Sequence, residues 1–342
     1  MIISMKDVAE ARRLITPYIH HTPLAYSDTF SKMCGAKFYM KCENLQKTGA
    51  FKVRGGMNNL LHLTPEERAR GVVTASSGNH AQGVAYAAQM FHTHCTLCMQ
   101  DWSSPAKIAA CKGYQAEIKL IHGDSVDTLV EAERLRDECG YIYLHPFNSA
   151  WTIAGQGTIA FEILEDLTQV DTVVLPVAGG GLASGVGMVM KELYPHIKVY
   201  GVQAKNCAAM YESLKAGRLV KLETCDTCCD GLAAMMVGDA TLEMVGHYLD
   251  DVITLTEEEI REAVATTLSY TKMLIEPSSA TTVAAILGKK VPVKGNVVAI
   301  ATGGNCSPQL LASILTEYQE AVSSTHLRAH ATLRHLVCRL LL

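Results

Sequence analysis

Three times in this chain a short apolar run breaks into a turn rich in glycine and small polar residues. Gly71 to Ala75 runs into Ser76-Ser77-Gly78-Asn79-His80, and Thr172 to Val177 into Ala178-Gly179-Gly180-Gly181-Leu182. Near the end, V-V-A-I-A runs into Thr302-Gly303-Gly304-Asn305. Near-continuous apolar strands belong to sheets buried on both faces, so the pattern calls for an open sheet covered by helices. A helix follows each of the first two turns, and its N-terminus offers backbone N–H groups with no partner inside the helix. The first turn, with Ser77 and Asn79 adding side-chain donors, reads as a carboxylate site, with a plain helix cap as the alternative. The second reads as a site for a phosphate monoester. It lacks the G-x-G-x-x-G spacing of dinucleotide folds, and no Walker lysine follows. All three turns end strands, which is where open α/β sheets hold ligands.

A fourth stretch, Gln46 to Gly56 (Q-K-T-G-A-F-K-V-R-G-G), sets Lys52 and Arg54 between the apolar Phe51 and Val53, with glycines on both sides. A solvated basic patch is not usually interleaved in this way. Desolvation favours the neutral, nucleophilic form of an amine, so Lys52 is a candidate nucleophile. Phe51 would cover a flat ring. The plainer alternative is a turn before a helix with an ordinary surface lysine.

Strand and helix patterns alternate through most of the chain and imply parallel sheet with crossover helices. Expected strands lie at 36–41, 71–75, in T-L-C-M, at 117–121 and 172–177, in V-Y-G-V-Q, in V-I-T-L and in V-V-A-I-A. Expected helices include residues 54–63, 105–113 and 125–139, with Gly140 to Leu144 opening a linker. At 342 residues two lobes sharing a cleft are expected. They are a large one from 1–62 and 149–322 and a small mobile one at 63–148. The net charge of −4 gives no reason to expect nucleic acid or a membrane as partner. No run is apolar and long enough to span a bilayer. Met1 to Glu10 lacks the apolar core of a secretory leader, so a reduced, cytoplasmic protein is expected. Cys95 and Cys98, like Cys225, Cys228 and Cys229, lack a second ligand pair at finger-like spacing, so no metal site is expected.

Taken in order, the lysine stretch, S-S-G-N-H, A-G-G-G-L and T-G-G-N resemble the fold-type II pyridoxal-phosphate enzymes. Within these the chain is similar to the serine/threonine dehydratase and serine racemase group, and most of all to the catabolic threonine dehydratases. The likeness runs from about Val8 to Leu315. It implies a tryptophan synthase β-like α/β fold with pyridoxal 5'-phosphate in the cleft. It also implies that Lys52 carries the cofactor as a Schiff base, with Phe51 against the ring. Gly179, Gly180, Gly181 and Leu182 would bind the phosphate, Asn79 the ring hydroxyl and Thr302 the ring nitrogen. Ser76, Ser77, Gly78, Asn79 and His80 would hold the substrate carboxylate, and Ser77 matches the second acid/base of the racemases.

The activity so implied is elimination of water and ammonia from L-threonine or L-serine by a homodimer or homotetramer. Serine racemisation, or dehydration of phenylserine or 3-hydroxyaspartate, is the alternative. An oxidoreductase is disfavoured by the missing dinucleotide fingerprint, and a non-catalytic binding module by the intact Lys52. Several positions depart from the family pattern. Ala50 stands for a common serine, Ala178 for the first glycine of the phosphate loop, and Thr302 for the serine usual in dehydratases. Phe147 stands for a racemase asparagine. Gln203, Cys207 and Ala209 occupy the racemases' cation-ligand region. The tail, 323–342, lies outside the resemblance and reads as a docking helix, a disordered end or a reading-frame remnant.

Overall fold

A computed structural model of the chain describes residues 2–123 and 125–321, so the 323–342 tail lies outside the described residues. Among the described residues, ten strands form two sheets. The larger takes β1 (Leu24–Ser27), β2 (Lys37–Cys42), β7 (Thr172–Pro176), β8 (Lys198–Ala204), β9 (Asp251–Leu255) and β10 (Asn296–Ala301). Its spatial order is β1-β2-β10-β7-β8-β9, all parallel except the β1–β2 pair. The smaller takes β3 (Val72–Ala75), β4 (Cys95–Gln100), β5 (Glu117–Ile121) and β6 (Ile142–Tyr143), all parallel in the order β5-β4-β3-β6.

The large sheet is buried on both faces, as its apolar runs require. Val298 and Ile300 of β10 join a core with helices Ala150–Asp166 and Gly181–Leu193, whereas Val297, Ala299 and Ala301 join the opposite core with helix Pro277–Leu287. This is the two-residue period of a strand read on both faces. The same period settles the first C-x-x-C. Cys95 packs with helix Asn79–Met90 on one face of the small sheet, and Cys98 packs with Ala132 and Leu135 on the other.

Four features differ from the sequence reading. The stretch expected to open a linker supplies β6, which is only two residues long and so shows no periodicity. The chain near Pro23 forms an antiparallel edge strand, β1, followed by helix Asp28–Cys34, which Ser27 caps through Phe30 N. Helix Asp239–Tyr248 falls in a stretch left unread. Cys207 and Cys225, expected to be reduced, are joined as a disulfide, because the fold brings their Cα atoms to 4.6 Å, within bridging range. Two helices open on capping boxes: Pro65–Arg70 on Thr64 with Glu67, and Glu257–Thr271 on Thr256 with Glu259.

Candidate active site

Lys52 immediately precedes helix Val53–His62, and two glycines determine what faces it. A Cβ on Gly56 would lie 2.7 Å from the Gly83 carbonyl, and one on Gly83 would lie 2.9 Å from the Lys52 carbonyl. Only bare backbone lets helix Asn79–Met90 cross so close, and that crossing sets its N-terminal loop beside the lysine. The lysine stretch is also stitched to the last strand. Phe51 N donates to Thr302 O (2.9 Å) and Gly304 N to Gly49 O (2.9 Å).

Arg54, two residues on, turns away from the cleft. It is fully buried, and its five N–H groups all find acceptors: Glu43 twice, Glu162 twice and the Thr158 hydroxyl, at 2.7–3.2 Å. The Lys41 amine sits 2.8 Å from Glu162 Oε2, an oxygen it shares with Arg54. Arg54 therefore fixes the backbone from which Lys52 projects.

The Lys52 amine donates to the Pro146 carbonyl (2.9 Å) and lies 5.3 Å from the Phe51 ring centroid. Desolvation pulls it down to about 8 from the ordinary lysine value. It opens on a cavity of about 920 Å³ whose lining includes Phe51, Ser76 to His80, Gly179 to Leu182 and Thr302. Every site residue expected from the sequence thus borders one space. Their surroundings differ. The Ser77 hydroxyl donates to Gln100 Oε1 and accepts from Gln100 N (3.0 Å). His80 is buried with Nε2 3.2 Å from Leu144 O, and burial, then the Lys52 charge, push its pKa down to about 3. A neutral ring bonded in this way to a carbonyl carries its proton on Nε2. The Thr302 hydroxyl lies 3.0 Å from Ser279 Oγ.

The glycine loop is shaped by what packs around it. Gly180 has φ +98°, the left-handed region that favours glycine, and caps helix Gly181–Leu193. Thr241 Oγ1 donates to the Gly179 carbonyl (2.6 Å), and a Cβ on Gly179 would lie 2.3 Å from the Phe147 ring. Gly179→Ala should therefore displace the loop or the ring. The apoprotein's affinity for pyridoxal phosphate should fall about tenfold or more, in line with overpacking costs. An absorbance titration with wild-type affinity would remove this role of the loop.

Sequence reasoning missed several lining residues. His145, Pro146 and Asn148 follow β6 in the expected linker, where the sequence singles out only Phe147 among them. The His145 Nδ1 atom accepts from Phe147 N (3.2 Å) and Asn148 N (2.9 Å), so that ring holds the segment's turn. Glu276 is buried, and burial pushes its carboxyl up to about 7, with Asp230 adding to the rise. Its only sequence signal is its place before Pro277 at a helix start. Asn305 was visible in T-G-G-N, but its partner Asn79 lies 226 residues away. The region aligned with the racemases' cation ligands is used otherwise: Gln203 Oε1 accepts from Tyr211 N (2.8 Å), and Cys207 is in the disulfide.

The family model for "Pyridoxal-phosphate dependent enzyme" matches residues 15–303. The chain belongs to this family. Pyridoxal phosphate is the cofactor of this pyridoxal-phosphate dependent enzyme, and the fold is that of the type II group. The chain is 43% identical over 318 residues to the L-threonine ammonia-lyase of Thermotoga maritima, covering 92% of this chain and 79% of that protein. It is 39% identical over 309 residues to a catabolic L-threonine dehydratase of Staphylococcus aureus, covering 89% of each. Maize serine racemase superposes with a TM-score of 0.88 at 33% identity, over 94% of this chain and 100% of that one. The cleft fits the cofactor of this pyridoxal-phosphate dependent enzyme. It offers a desolvated amine, a glycine loop at a helix N-terminus for a phosphate, and an apolar ring beside the amine. Among the described residues no helix is long and apolar enough to cross a membrane.

Proposed function

We propose that this enzyme removes water and ammonia from L-threonine or L-serine, giving the 2-oxo acid. The observation that carries the proposal is the Lys52 amine, held at about 8 in a cleft between two helix N-termini, in a chain 43% identical to an L-threonine ammonia-lyase. Bound pyridoxal phosphate supplies an electron-withdrawing ring that makes the substrate's α-proton labile. In this reading Lys52 would hold the cofactor, and its amine, when free, would take the substrate's α-proton as base. The Ser76 to His80 loop binds and orients the substrate carboxylate at the N-terminus of helix Asn79–Met90. Gly179, Gly180, Gly181 and Leu182 would take the phosphate, Phe51 would cover the ring, and Asn79 and Thr302 would serve the ring hydroxyl and nitrogen. A neutral Thr302 does not hold that nitrogen protonated, which favours prompt loss of a β-substituent. Phe147, packed on Gly179, sets an apolar ring in the cleft lining, which suits the methyl group of threonine better than a charged β-substituent.

The proposal includes a large lobe (1–62 with 149–322) and a small mobile lobe (63–148). Support comes from the four-stranded sheet, drawn from one contiguous stretch. It also includes a cytoplasmic homodimer or homotetramer; nine cysteines among the described residues are unpaired, as a reducing setting favours, while the Cys207–Cys225 disulfide speaks against one.

A panel of L-threonine, L-serine, D-serine, 3-hydroxyaspartate and phenylserine, offered to the purified protein with pyridoxal phosphate, tests the activity. Oxo acid from L-threonine or L-serine with little D-isomer is expected. D-serine accumulating from L-serine would favour the racemase reading, for which Ser77 in the lining and the likeness to maize serine racemase speak. The depressed amine also predicts a pH profile. Covalent uptake of the cofactor by apoprotein should speed up as pH rises to about 8 and then level off. An ordinary lysine would keep gaining toward its usual range. A stopped-flow absorbance series that keeps climbing would rule out a desolvated Lys52.

A further inference from the structure

The Asn79 amide is held at both ends by residues with no chemical role in the proposal above. Asn305 Nδ2 donates to the Thr48 backbone carbonyl (2.9 Å) and to Asn79 Oδ1 (2.8 Å). A backbone carbonyl only accepts, so the atom of Asn305 beside it must be its nitrogen. Asn79 therefore turns its oxygen toward Asn305 and its nitrogen toward Glu276 Oε1, 2.8 Å away. One N–H of Asn79 goes to Glu276, which leaves the second for the cavity that Asn79 lines.

Both anchors are fixed in turn. A Cβ on Gly49, whose φ is +69°, would come within 2.7 Å of Asn305 Oδ1, so Asn305 lies flat on that glycine. Glu276 precedes helix Pro277–Leu287, and a Cβ on Gly303 would lie 2.6 Å from its Oε1. Protonated or ionised, its carboxyl keeps an oxygen able to accept from Asn79.

We propose that Asn305 and Glu276 are positioning residues that orient the Asn79 amide so that its second N–H donates to the ring hydroxyl oxygen of the bound cofactor. The inference rests on the reading that the cofactor lies in this cleft with Asn79 against that oxygen. Donation there favours the ionised oxygen, and so sets the absorption band of the Lys52-linked cofactor and the pH at which that band changes. The network also spans the cleft, since Asn79 follows β3 of the small sheet while Asn305 follows β10 of the large one.

Asn305→Asp keeps the shape and replaces a donor by an acceptor, so Asn79 should turn over. Apoprotein titrated with pyridoxal phosphate should then bind at least about tenfold more weakly, the worth of one buried hydrogen bond. Its band should shift, and the pH at which the band changes should move. Asn305→Ser, which removes the donor without adding charge, covers the case in which the aspartate variant fails to fold. Glu276→Gln keeps an acceptor for Asn79 and should keep the wild-type band. In an Asn79→Ala background, Asn305→Asp should add nothing, whereas a merely structural loss would persist there. Wild-type band and affinity in both Asn305 variants would overturn the inference, as would an undiminished effect in the Asn79→Ala background. A wild-type band in Asn79→Ala would also overturn it while leaving the cofactor on Lys52 intact. A wild-type protein with no band would instead remove the cofactor reading and this inference together.

Discussion

Lys52→Ala should abolish turnover, by at least about 10⁴-fold, the upper end of what a positioned acid–base group alone contributes. The visible band of lysine-bound cofactor should vanish with it. The variant should fold normally, because the amine's hydrogen bond goes to a single backbone carbonyl, that of Pro146. Burial disfavours the charged amine in the folded state, so at neutral pH the alanine apoprotein should melt no lower than wild type. The sign follows from proton binding. With the folded pKa depressed to about 8, the unfolded chain binds the proton more tightly, and the wild-type apoprotein should gain stability as pH rises from there toward the unfolded lysine value. Single-turnover assays, absorbance and thermal melts check all three points. Retained oxo-acid production would sink the assignment of Lys52.

Arg54→Met should be the most destabilising single change near the site, costing about 3–5 kcal/mol, as when one partner of a buried ion pair is removed. Glu43 and Glu162 would be left facing each other across the vacated space, with Lys41 still touching Glu162. Adding Glu43→Gln should restore part of the loss, because it removes one uncompensated charge. Urea unfolding of the apoprotein measures both. A loss under about 1 kcal/mol would show that water or a neighbouring cation replaces the guanidinium. Cofactor uptake should also slow, since Arg54 anchors the helix that begins one residue after Lys52.

The alternation of strands and helices was legible because the central large-sheet strands β7, β8 and β10 are buried on both faces and so read as apolar runs bounded by turns. β6 escaped because two residues carry no period, and β1 because it follows Thr22-Pro23, which reads as a break. The candidate site was legible where one local stretch holds both the chemistry and its backbone device, as around Lys52, Gly180 and Asn79. It was not legible where the partner comes from elsewhere in the chain. Nothing in H-P-F-N announces that the Pro146 carbonyl will meet the Lys52 amine, and nothing near Glu276 announces Asn79. Arg54 shows the converse. It stands two residues from Lys52 in the sequence, but on a helix two residues apart means nearly opposite faces, and the structure sends it into the protein.

The central position of β10 bears on how the chain is made. Between β2 and β7, the large sheet has a gap that only one of its last strands can fill. β2 and β10 are roughly 250 residues apart, so at ~5–20 residues per second β2 waits on the order of 10–50 s on the ribosome for its neighbour. The four-stranded sheet, complete by Tyr143, can assemble long before. Lys52 is translated roughly 250 residues before Thr302, whose carbonyl holds the Phe51 backbone. Over that stretch of synthesis the nascent chain therefore carries its reactive amine without the pocket that depresses it, and competence to take up the cofactor arrives only when β10 joins the sheet.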